Sequence, residues 1–103
     1  MATGKISTVS ALRASVSAAE PPAGLGVPVT ALWWSAKGDW DKAHALVQGD
    51  GGAEAAWVHA HLHRVEGDLS NAGYWYRRAG RDPATDSLET EWSEIAADLL
   101  DAG

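Results

Sequence analysis

Lys37-Gly38-Asp39-Trp40-Asp41-Lys42-Ala43 and, 29 residues further on, Glu66-Gly67-Asp68-Leu69-Ser70-Asn71-Ala72 are the stretches that decide the fold. Each reads as a turn between two helices. Glycine takes positive φ without strain, and the aspartate side chain accepts from the free amides of the next helix. A bulky apolar residue follows, and an alanine three positions later lets the helices approach. Outward from these turns the apolar period is helical: Ala55, Val58, Leu62 and Val65, then Leu69, Ala72, Gly73, Tyr76 and Ala79, then Leu88, Trp92, Ile95 and Leu99. No stretch alternates with period two. The pattern predicts helices over 29–37, 40–48, 53–66, 69–80 and 86–100, with a weaker one near 6–19. Asp86 followed by Glu89 reads as a capping box for the last. The chain breaks at Glu20–Pro28, where prolines remove donors, and at Gly49-Asp50-Gly51-Gly52.

The expected class is all-α: short antiparallel hairpins, stacked, with an acidic C-terminal helix as cap. Residues 1–27 read as an N-terminal leader and Pro/Gly linker, and 28–103 as one helical-repeat domain. The chain has 103 residues, no cysteine, six Trp, no Phe and four His. Thiolate chemistry and disulfides are therefore excluded. The net charge of −6 lies entirely after residue 85, because residues 1–85 carry eight bases and eight acids and the rest six acids and no base. Such a chain lacks the clustered cations that phosphate backbones or anionic membranes require, so neither nucleic acid nor membrane is an expected partner. No apolar run reaches the length of a membrane span. The expected compartment is cytoplasmic. Residues 1–19, with Lys5, Arg13 and no acid, also suit an organellar transit segment, the mature chain then starting near Pro21-Pro22.

With Ala60, Gly67-Asp68, Ala72, Tyr76, Ala79 and Pro83 in the second copy, and Ala31, Trp34, Gly38-Asp39-Trp40 and Ala43 in the first, residues 28–83 resemble the tetratricopeptide repeat family. The spacing of 29 is shorter than the family's 34, and the first copy lacks the terminal proline. The resemblance implies stacked hairpins presenting a groove, and it points to Trp57, His61 and Arg64 as groove-lining contacts. The strings Ala31–His44, Trp57–Arg64 and Tyr74–Ala79 also resemble a recurrent pattern of short microbial proteins with no assigned activity.

His59-Ala60-His61-Leu62-His63 is the sharpest chemical feature. On a helix His59 and His63 are one turn apart, and Glu66 falls within about 20° of His59 around the axis. Two imidazoles and a carboxylate suit a divalent ion such as Zn²⁺, and Asp41 and His44 on the preceding helix can add ligands if the helices face each other. His61 points away from that set. The competing reading makes His59 and His63 interior side chains with satisfied nitrogens. Arg77, Arg78 and Arg81 among Tyr74, Trp75 and Tyr76 can bind an anion, or pair with Glu89, Glu91, Glu94 and Asp98 of the acidic helix.

Two functions are carried forward. The preferred one is a non-enzymatic module binding a protein or peptide, or a second copy of itself, through a Trp-rich groove of Trp33, Trp57, His61 and Arg64, with no cofactor. The alternative is a small helical metal-binding protein or metalloenzyme using His59, His63 and Glu66, with His44 and Asp41. No nucleophile elbow or phosphate loop is present to support another chemistry.

Overall fold

The computed structural model describes residues 7–102. Six helices occupy them: α1 (Val9–Ser15), α2 (Val27–Lys37), α3 (Trp40–Gln48), α4 (Ala53–Val65), α5 (Leu69–Ala79) and α6 (Leu88–Ala102). No strand occurs among the described residues. The molecule is all-α, two helical hairpins stacked with an acidic helix across them.

The two Gly-Asp turns are copies of one another. Gly38 and Gly67 take φ of 94° and 88°. The amides of Asp39 and Asp68 reach back to the carbonyls of Trp34 and His63 at 3.0 and 2.9 Å. The carboxylates of Asp39 and Asp68 then accept from the amides of Lys42 and Asn71. One turn thus satisfies carbonyls at the end of one helix and amides at the start of the next. With two residues between them, α2 lies antiparallel to α3, and α5 turns back on α4 after three. Gly49–Gly52 links the hairpins, so that α3 also packs on α4.

α4 has almost no solvent face. All nine residues from Ala55 to His63 are buried, against α5, α3, α2 and α6. Three indoles are built into the core with their N–H groups satisfied. Trp33 donates to Ser15 Oγ, Trp40 to the Leu62 carbonyl, and Trp92 to the Leu32 carbonyl. α6 brings Trp92, Ile95, Ala96 and Leu99 to the same core.

Four expectations are corrected. The boundary at residue 27 does not separate a leader from the domain. Leu12 of α1 is fully buried, Arg13 covers the Trp92 ring at 4.4 Å and pairs with Glu89, and α1 packs on α2 and α6. The helix foreseen over 6–19 runs only from Val9 to Ser15, started by the Thr8 side chain accepting from the Ala11 amide. The capping box at Asp86 and Glu89 is replaced by Ser87, whose Oγ accepts from the Thr90 amide at 3.0 Å, because Glu89 is drawn to Arg13. α2 begins two residues earlier than expected, since Pro28 sits in its first turn, where a missing N–H costs nothing.

If the turns hold the hairpins together, Gly67→Ala forces a β-carbon into the left-handed region. It should lower stability by about 1 kcal/mol, a fall of roughly 4–8 °C in thermal midpoint. Gly51 lies outside that region with open space around its α-carbon, so Gly51→Ala should cause no loss in the same melt.

Candidate functional site

Two clusters of polar side chains lie on opposite sides of α4. The first joins the hairpins. His44 of α3 meets His59 of α4 with their Nε2 atoms 3.0 Å apart. His59 and His63, one turn apart, stack at 4.9 Å between ring centroids, and His44 stands edge-on to His63 at 5.3 Å. One ring nitrogen from each of the three lies within 4.8 Å of the others. Two indoles wall the cluster: Trp40 is stacked on His44 at 4.5 Å, and Trp75 of α5 on His59 at 3.8 Å.

Electrostatics favour the neutral form of His59 and of His44. Burial pushes His59 down to about 4, helped by repulsion from His44 and His63. His44 is lowered for the same reasons, burial first and then His63, against a partial pull upward from Glu66 and Asp41. His63 Nδ1 donates to Glu66 Oε2 at 2.7 Å, which leaves its lone pair on Nε2. His59 Nδ1 is buried without any hydrogen-bond partner.

The set expected from sequence is rearranged accordingly. His44, foreseen only as an addition, stands at the centre. Glu66 leaves the first rank and holds His63 from behind; on its other side it gathers with Asp68, whose carboxylate caps α5. Asp41 is exposed and takes no place in the cluster. The reading of His59 as a fully satisfied interior histidine fails at Nδ1.

The second cluster closes the expected groove. Glu91 of α6, with only 2% of its surface exposed, accepts from His61 Nδ1 at 2.7 Å, from Arg64 Nη1 at 2.9 Å and from the Tyr76 hydroxyl. Arg64 also donates to the Asp86 carbonyl. Burial raises the Glu91 carboxyl, but the donors from His61, Tyr76 and Arg64 together hold it below its ordinary value. The Tyr76 phenol is pushed well up by burial and by the adjoining carboxylate. The concave face implied by the tetratricopeptide resemblance is where α6 packs. His61 and Arg64 serve that packing, Trp33 is buried against α1, and Trp57 is left at the edge beneath the Arg81 guanidinium, 3.5 Å from its ring.

Of the arginines expected to meet the acidic helix, only Arg81 does so, at 2.9 Å from Asp98. Arg78 lies over Tyr74 and Trp75 instead, and Arg77 makes no ion pair among the described residues. Glu91 and Tyr76 are the residues whose partnership sequence reasoning missed. The signal was present: Glu91 adjoins Trp92 on the apolar face of the acidic helix, where a carboxylate needs buried donors.

Comparison with protein-family models, with curated proteins and with solved structures gives no match to this chain.

Glu91→Gln keeps the shape and removes the charge, so at pH 7 it should cost about 2–3 kcal/mol in chemical denaturation. The depressed carboxyl contributes stability that is complete above its ordinary value of 4.5 and lost as pH falls through the folded value. The gap between variant and wild type should therefore be constant from pH 5 to 7 and shrink toward pH 3. A gap that widens on acidification contradicts the network.

Proposed function

We propose that this chain is a helical metal-binding protein, with His44, His59 and His63 as ligands to one divalent transition ion. The observation that carries the reading is the gathering of three imidazole nitrogens, from two hairpins, within 4.8 Å of one another. Neutral imidazoles are donors suited to Zn²⁺, Cu²⁺ or Ni²⁺, and no thiolate is available to compete. A tetrahedral Zn²⁺ with Zn–N near 2.0–2.1 Å sets its donors about 3.3 Å apart, close to the spacing of His44 and His59. Three protein ligands leave a fourth position for water or a small ligand. Glu66 is placed as the carboxylate that orients a ligating histidine, the usual support for such sites.

A peptide groove through Trp33, Trp57, His61 and Arg64 has less support, because Trp33 and His61 are buried and α6 lies over the face.

Calorimetric titration of tag-free, metal-stripped protein with ZnCl₂ tests the proposal. One equivalent should bind, and the Zn²⁺-loaded protein should be stabilised by about 2.7 kcal/mol when free ion is 100-fold above Kd. His44→Ala, at a half-buried position, should weaken binding at least tenfold while leaving the helical circular dichroism intact. Cu²⁺ should quench the fluorescence of Trp40 and Trp75. No binding at about 1 mM, a range too weak to be specific, or unchanged binding in His44→Ala and His63→Ala, overturns the reading.

A further inference from the structure

On the side of α4 away from the histidine cluster, Arg81 divides two clefts. The larger, about 700 Å³, lies between the start of α1 and the last turns of α6, with Glu94, Asp98 and Asp101 on its acidic side. The smaller, about 330 Å³, lies under the loop between α5 and α6, and the buried Tyr76 and Glu91 belong to its wall. Trp57, Arg81 and Glu94 line both. Arg81 therefore stands between them, with its guanidinium over the one indole the two spaces share.

We propose that this indole-and-carboxylate face is a docking slot for an arginine side chain of a partner protein, and that Arg81 is its built-in occupant, displaced on binding. The resident guanidinium states the chemistry of the slot. It sits 3.5 Å from the Trp57 ring, nearer than any other cation–ring contact among the described residues, and reaches Asp98 at 2.9 Å. Such a planar cation stacks on an indole and pairs with a carboxylate at once. Charge favours a second cation over an anion, since three carboxylates of the larger cleft meet a single arginine. The resident contact is also a weak one. Both Arg81 and Asp98 side chains are about half exposed, at 45% and 58%, and pairs so wet contribute little. Arg81 stands one residue past Gly80, the left-handed cap of α5, at the start of a segment without regular structure that runs to α6. Its side chain can leave without unwinding a helix. A partner arginine would regain the indole and Asp98, and would add Glu94 and Asp101.

The test is titration of the full chain with a short peptide of alternating arginine and glycine, followed by calorimetry and by the indole N–H resonance of Trp57. The wild type should bind weakly, with the Trp57 resonance shifted. Arg81→Ala removes the competitor and should tighten binding about tenfold, the factor by which an occupied slot reduces apparent affinity. Glu94→Gln with Asp98→Asn should abolish it, and both variants should melt within a few degrees of the wild type. A lysine-for-arginine peptide should bind more weakly. Affinity unchanged or reduced in Arg81→Ala, a Trp57 resonance that does not move, or equal binding of the lysine peptide each overturns the proposal. None of these outcomes bears on the metal site, which shares no residue with the slot.

Discussion

A helix with almost no solvent face must find a partner for every polar group it carries, and α4 carries three histidines in alternate positions. That requirement shapes the rest of the molecule. Alternation sends His59 and His63 toward α3 and α5, and His61 toward α6. The first pair meets another imidazole and two indoles, and the single one meets a carboxylate. A leucine at any of these positions would have asked only for volume. Because histidines stand there, the neighbouring helices had to bring named atoms to named places.

The two polar clusters differ in the way that matters for function. Around Glu91 the accounting closes: an anion, a guanidinium, an imidazole and a phenol satisfy one another, and the result fastens α6 to both helices of the second hairpin. Removing one member leaves the others stranded, so the cluster is structural by its chemistry. Around His59 the accounting stays open. One buried nitrogen, His59 Nδ1, has no partner.

Most of the architecture was legible because its punctuation is local. Gly38-Asp39 and Gly67-Asp68 announce their turns through backbone chemistry that depends on no distant residue, and the helical period between them is strong. What could not be read depends on contacts far apart in sequence. Leu12 is one apolar residue in a short, serine-rich segment, and nothing local tells that it enters the core. His44 belongs with His59 only because the Gly49–Gly52 link lays α3 against α4. Glu66 was suited by spacing to the main ligand set and Asp41 to an added place, yet Glu66 instead holds His63 through an i,i+3 hydrogen bond and Asp41 stays exposed outside the cluster. Arg64 was expected as a contact for an outside partner because the tetratricopeptide resemblance points to it; its partner is an acid 27 residues away.

The packing of α1 against α6 has a temporal consequence. During synthesis the two hairpins can form from neighbouring stretches as they emerge, since their contacts are short in sequence. Leu12 and Arg13 cannot reach Trp92 and Glu89 until the final helix has been made. Until then the first segment and the apolar side of α4 are uncovered together. The contacts of α1 with α6 therefore form later than either hairpin can.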